Sequence, residues 1–170
     1  MLLATGAYAR SASNTLSADS ATARELLAAH NQERARVGVA PLAWSNDLAA
    51  IAQHWAEALI KSGAFVHSGR YGENLYDITG GGSWPARVVG AWSAEADNYD
   101  PAENRCVRGM CGHYTQVVWS RTRFVGCGMA RDATRRREVW ACNYEPYGNI
   151  IGERPFEIVP EARSANPDRE

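Results

Sequence analysis

The 170-residue sequence lacks most of the features that would assign it a chemistry at once. No apolar run approaches the ~20 residues a membrane-spanning helix needs, so a soluble protein is expected. A net charge of -1 gives no general attraction to nucleic acid or to an anionic membrane. There is no CxxC pair, which argues against a thiolate zinc site. The compact metal motif HExxH is absent. So is GxSxG, and covalent catalysis has no candidate nucleophile. Neither an internal repeat nor a low-complexity segment is present. What remains is a hydrophobic content of 45%, ordinary for a globular protein. The length suits one domain, in which folding buries roughly 70% of the unfolded surface.

Four cysteines, Cys106, Cys111, Cys127 and Cys142, permit three full pairings. Cys106 and Cys111 bracket a short loop, Val107 to Met110, that can close on itself. Cys127 and Cys142 lie on two strand-like runs joined by a polar stretch. A hairpin folded about Thr134 and Arg135 sets them opposite one another, as a cross-strand disulfide requires. Four reduced thiols, or a zinc site made from them, are the alternatives. Two disulfides imply an oxidising compartment, hence an extracellular or periplasmic protein. Met1 to Ala9 agrees in part. It reads as the end of a secretory leader with small residues before a cleavage point, without the basic start and full apolar core.

Residues 1–19 read as a flexible lead, 20–160 as a single domain and 161–170 as a polar tail. A first helix is predicted from Ser20 to Val37, with Thr22 and Glu25 as a capping box. Ser45 caps a second, in which Leu48, Ile51, Ala52, Trp55 and Leu59 recur at helical spacing and Gly63 is the stop. Gly80 to Ser83 form a loop and cap. Pro85 opens a third helix carrying Val88, Val89, Trp92 and Ala96. A short helix is expected over Tyr114–Trp119, strands over Phe124–Ala130 and Glu138–Tyr144, and a further short strand near Asn74–Tyr76. Helices first and a hairpin late favour an α+β layer arrangement over a parallel βαβ fold.

Two segments mix ring, hydroxyl and amide groups with large apolar ones: Cys111 to Trp119, and Val139 to Ile150. Such mixtures are costly to bury unless each polar group has a partner, so they read as pocket walls. Glu95 falls on the apolar face of the third helix, where a carboxylate needs a partner or an exit to solvent. His67 and His113 lie in glycine-bounded loops, with Glu73 close after His67. Two imidazoles and two carboxylates suit a divalent metal, zinc first, or general acid–base work. A hydrogen-bonded structural cluster is the plainer alternative, because the four are dispersed along the chain. His30 and His54 lie within helices, His54 as an ordinary packing or surface residue. Arg135, Arg136 and Arg137, with Asp132 and Glu138 beside them, read as a solvated hairpin tip rather than a polyanion site.

His30-Asn31-Gln32-Glu33-Arg34, Gly72-Glu73-Asn74-Leu75, Gly112–Trp119 and Val139–Ile150 follow in an order that resembles the CAP superfamily. That superfamily comprises cysteine-rich secretory proteins, antigen 5 and plant pathogenesis-related 1 proteins. The resemblance spans roughly His30 to Pro155 and implies a three-layer α-β-α sandwich. It implies that His67, Glu73, Glu95 and His113 line a central cleft. There the two histidines hold zinc or another divalent ion, and the glutamates orient the rings or bind a water. It also implies that the loop before the main signature, with Tyr99 and Met110, takes part in sterol binding; a turn-rich connector is the alternative. The plant proteins carry six cysteines. This chain lacks two of them, so their pairing does not transfer.

Three functional readings follow. The first is a secreted monomer binding a lipid, a sterol or another extracellular ligand, with the metal optional. The second is a zinc-dependent hydrolase with Glu73 as general base and Glu95 beside it. The third is a defence or host-interaction effector acting through its surface. Two histidines fall short of the three protein ligands usual at catalytic zinc, which favours binding over catalysis.

Overall fold

A computed structural model describes residues 15–132 and 136–157. Most of the expected lead, the hairpin apex at Thr134 and Arg135, and the polar tail lie outside the described residues.

Helix α1, Ala21–Arg36, is capped by Ser20, whose hydroxyl accepts from the Ala23 amide at 3.1 Å. The expected box at Thr22 and Glu25 therefore sits inside the first turn, because a serine in extended conformation already serves the free amides. Ala23, Leu26, His30 and Arg34 recur on the buried side of α1. A two-residue strand β1, Ala43–Trp44, leads to α2, Asn46–Ser62. Ser45 caps α2 at Leu48, and Gly63 ends it in the left-handed conformation (φ 74°).

Strand β2 is Gly72–Thr79, longer than the sequence suggested because all eight residues pair with the late hairpin. Helix α3, Pro85–Ser93, stops before Glu95, and Ala94–Asn98 tighten into a 3-10 turn. Its N-cap position is Trp84, with no side-chain cap; the Ser83 amide instead donates to Glu138 Oε1 at 3.0 Å. Tyr99–Asp100 (β3) and Arg105–Cys106 (β4) form a small ribbon ahead of α4, Gly112–Val117. Strands β5, Phe124–Asp132, and β6, Arg137–Glu145, complete the regular structure of the described residues.

The main sheet runs β1-β5-β6-β2, with β1 parallel to β5 and the other pairs antiparallel. Strand β6 alternates between two cores. Val139 and Ala141 join Leu75 against Ala52, Ala56 and Leu59 of α2. Trp140, Cys142 and Tyr144 face the opposite core, with Leu26 of α1, Val88 and Trp92 of α3 and Val117 of α4. Helices on both faces make the three-layer α-β-α sandwich of an α+β fold, and they bury β6 along nearly its whole length. On the α2 side, β5 carries Gly126 and Gly128. A Cβ at 126 would lie 2.2 Å from the Ala49 amide nitrogen, and one at 128 would lie 2.3 Å from Gln53 Cα. The backbone of α2 thus rests directly on the strand.

Both disulfides drawn from the sequence are present, Cys106–Cys111 and Cys127–Cys142, and Cys127 sits opposite Cys142 in the hairpin register. The arginine run is not a solvated tip throughout. Arg137 donates to Asp77 Oδ2 and the Ala64 carbonyl at 2.7 and 2.8 Å, fastening the hairpin to β2 and to the end of α2. Glu138 beside it is buried, taking donors from Ser83, Trp140 and Arg131.

Arg34 and Asn31 prove to be structural. The fully buried Arg34 guanidinium donates to the carbonyls of Ala40, Val117, Trp119 and Thr122 at 2.8–3.1 Å. Burial lowers its pKa to about 10, still charged at neutral pH. Asn31 exchanges two hydrogen bonds with the backbone of Leu42. Together they tie α1 to β1 and to the segment after α4.

Candidate functional site

The short helix α4 begins with Cys111 at its N-cap position and no side-chain cap of its own. Glu95 supplies one from the 3-10 turn. Its Oε2 accepts from the His113 and Tyr114 amides at 2.9 and 3.4 Å, while Oε1 binds His113 Nδ1 at 2.7 Å. The carboxylate therefore satisfies free first-turn amides and fixes the imidazole in one step. Glu95 keeps 15% of its side chain exposed and His113 keeps 23%. The His113 ring stacks on Trp92, with centroids 6.5 Å apart and planes 22° from parallel.

Beneath this pair lies a hydrogen-bonded column. Asn74 Nδ2 donates to the His113 carbonyl at 3.0 Å and to the Tyr144 hydroxyl at 3.2 Å. The Tyr144 hydroxyl meets His30 Nε2 at 2.8 Å, and His30 Nδ1 lies 2.7 Å from the Leu26 carbonyl. A carbonyl only accepts, so His30 Nδ1 carries the proton. In the neutral ring Nε2 then accepts from Tyr144, whose oxygen accepts from Asn74. Burial keeps His30 neutral by lowering its pKa to about 4, and burial raises that of Tyr144.

The second pair forms at β2. His67 Nδ1 lies 2.8 Å from Glu73 Oε1, which also accepts from the Ser68 amide at 3.0 Å. His67 is 58% exposed and Glu73 only 2%. Glu73 Oε2 is buried with no partner among the described residues, and so are both amide atoms of Asn143. Glu73 and Asn143 are direct partners in the β2–β6 register. A cavity of about 230 Å³ opens here, bounded by His67, Tyr71, Glu73, Gln116, Tyr147 and Asn149. Trp84 does not line this cavity; it is exposed and carries Arg87 over its ring at 5.3 Å.

Glu73 and Asn74 are successive residues of β2, so their side chains leave the strand in opposite directions. The His67 pair is anchored to one and the His113 pair, through its carbonyl, to the other. Among the described residues no group of three or more His, Cys, Asp and Glu side chains converges as a metal site. The donor chemistry nevertheless suits a divalent ion. Each imidazole is engaged through Nδ1 by a carboxylate, and no described group takes its Nε2. The orphaned Glu73 Oε2 is a further acceptor.

A family model described as the cysteine-rich secretory protein family, CAP, matches residues 27–144. The chain belongs to the CAP family. Among CAP relatives, tomato (Solanum lycopersicum) pathogenesis-related leaf protein 4 is 45% identical over 137 residues, covering 78% of this chain and 82% of the relative. Tobacco (Nicotiana tabacum) pathogenesis-related protein 1B is 44% identical over 135 residues, covering 78% and 80%. Schistosoma mansoni venom allergen-like protein 4 superposes with a TM-score of 0.67 at 26% identity, over 84% of this chain and 97% of that one. NaASP2, solved with Zn2+, superposes at 0.65 over 85% and 88%; at 23% identity it speaks for the fold alone.

In this CAP domain the loop residues Tyr99 and Met110 have different settings. The Tyr99 hydroxyl donates to Asn104 Oδ1 at 2.8 Å, and its ring packs on Tyr114 and Phe156. Met110 is 71% exposed, beside exposed Val107 on the disulfide-closed loop. Asn74, Gln116 and Asn143 were not singled out from the sequence. Gln116 Oε1 accepts from the Gly148 amide at 2.9 Å, joining the two signature segments that wall the cavity. The signal for all three was the same: an amide side chain beside large apolar residues in a segment of mixed character.

Proposed function

We propose that this CAP-family protein is exported and serves in defence, in keeping with the pathogenesis-related naming of its plant relatives, by binding an extracellular ligand rather than by covalent chemistry. Two disulfides suit an oxidising compartment, and no helix among the described residues is long and apolar enough to cross a membrane. The observation that carries the reading is the pairing of each of the two imidazoles with a carboxylate through Nδ1, which leaves Nε2 with no partner among the described residues and available as a ligand. His67 and His113 would hold the ion, zinc first, with water completing its coordination. A bound divalent ion supplies Lewis acidity and a fixed positive charge for an anionic or carbonyl-bearing ligand. Glu73 and Glu95 hold the ring tautomers, and Trp92 holds the plane of His113.

Calorimetric titration with zinc tests this. His67→Ala and His113→Ala should each abolish binding, and Glu95→Gln should weaken it by about 10- to 100-fold. Unchanged affinity in either histidine variant would sink the cleft reading. A lipid or sterol at the Tyr99–Met110 loop is favoured by exposed Met110 and Val107, an apolar pair on a loop held by its disulfide. Hydrolysis is the competing use of the same cleft. It would require turnover that disappears in Glu73→Gln while zinc stays bound.

A further inference from the structure

A larger cavity than the histidine cleft lies on the outer side of α2, about 610 Å³ in volume. One wall is the helix face formed by Ile51, His54 and Trp55; the other is the segment leading into β2, with Ser68, Arg70 and Tyr71. That volume falls within the range of small-molecule sites, roughly 300–1,000 Å³. The geometry points to a second binding site, for an amphiphile carrying one anionic head group on a single apolar chain.

Three observations converge. The first is rigidity. Gly63 turns the chain off α2, and Arg137 holds the Ala64 carbonyl at 2.8 Å. Trp55 Nε1 donates to the Val66 carbonyl at 3.2 Å, and Glu73 Oε1 holds both the His67 ring and the Ser68 amide. A wall pinned at four successive points is preformed, so little ordering entropy opposes a ligand.

The second is charge. Arg70 is exposed, forms no ion pair with any described residue, and stands on a cavity that no carboxylate lines. A guanidinium in that setting selects a carboxylate or phosphate head group. The hydroxyl of Ser68, on the same wall, is buried with no hydrogen-bond partner among the described residues, and it can donate to that head group.

The third is the apolar surface. Ile51 and Trp55 on the helix and Tyr71 opposite them form the body of the cavity, and Phe65 and Val66 stand exposed on the segment between α2 and that wall. A hydrocarbon chain would cover this surface. The site is separate from the Tyr99–Met110 loop, and His67 and Glu73 do not line it, although Glu73 holds the Ser68 amide and Tyr71 contributes to both cavities. It rests on the binding reading above for its ligand class and on none of the cleft's metal chemistry.

The test uses dodecanoate, dodecyl phosphate and dodecyltrimethylammonium below their micelle concentrations. Binding is followed by calorimetry and by the backbone and Trp55 indole NMR signals. Both anions should bind with shifts centred on Ile51, Trp55 and Ser68, and the tighter of the two identifies the head group. Arg70→Gln should cost about tenfold in affinity. Ile51→Glu, which sets a like charge on the apolar wall, should abolish binding while the rest of the spectrum stays unchanged. Equal affinity for the cationic amphiphile, or unchanged binding by Arg70→Gln, would overturn the site. Dodecanoate binding lost in Met110→Ala but kept in Arg70→Gln would overturn it and move the ligand to the loop, leaving the binding reading intact. No binding of either anion overturns the site alone, because zinc titration of the cleft is read separately.

Discussion

Glu73 and Asn143 face one another across β2 and β6, and Oε2 of the first and both amide atoms of the second are buried without a partner among the described residues. Unsatisfied polar atoms at such a density are rare in folded proteins and mark a place where something other than packing has been kept. Asn143→Leu removes two of these atoms in a side chain of similar size. The expected result is a gain of about 1 kcal/mol in unfolding free energy by denaturant titration. A loss of similar size would mean that ordered water already satisfies the amide.

Arg34→Met tests the clamp under α1. It removes the guanidinium donor from the carbonyls of Ala40, Val117, Trp119 and Thr122 in a closed interior, and of these Trp119 keeps a second donor in the Thr122 amide at 3.1 Å. A loss of about 4 kcal/mol is expected, since each abandoned buried acceptor costs ~1–3 kcal/mol and some will relax toward water. Arg34→Lys should recover only part of this, because an ammonium has no planar fork to reach four carbonyls.

The pH dependence of stability should carry the signature of His30. Its folded pKa is about 4, below the ordinary 6.5. Between those values the unfolded chain takes up a proton that the folded chain refuses, so stability rises with pH across this window. The contribution is complete above pH 6.5 and is lost as pH falls toward 4, with a magnitude on the order of 3 kcal/mol. NMR titration of the His30 ring checks the pKa directly. A ring that titrates near 6.5 would mean that the column to Tyr144 opens readily.

The two disulfides should differ in their response to reductant. Cys106 is exposed on its loop, whereas Cys127 and Cys142 are fully buried between the sheet and the α1–α3 layer. Under native conditions, a mild phosphine followed by alkylation and mass mapping should label Cys106 and Cys111 only. Label at Cys127 should appear only where the fold itself opens.

Much of this architecture is legible in short stretches of sequence. Ser45 and Gly63 bound α2 because a cap and a left-handed stop act within one turn, and the hairpin register follows from alternation plus a matched pair of cysteines. The third helix is harder. Glu95 continues the apolar stripe of α3 in sequence, yet the chain tightens after Ser93 so that its carboxylate reaches the amides of α4. Strand β1 exists only because Ala43 and Trp44 meet Phe124 and Val125, partners some eighty residues away that no local pattern announces. Arg34 looks like a surface cation by composition. Its role depends on four carbonyls drawn from two segments far apart in sequence, Ala40 and the stretch from Val117 to Thr122.

Gly126 and Gly128 have a consequence for how such a protein can change over generations. They let the inner side of α2 sit on bare strand backbone, which leaves almost no tolerance there: one added methyl would lift the helix. On the outer side Ile51 and His54 are exposed and bear none of that load, while Trp55 packs in part against the core. The helix is thus divided lengthwise into a half that must stay constant and a half that is at liberty to vary. Descendants of this chain can acquire new ligands by altering the outer half without disturbing the sheet it stands on.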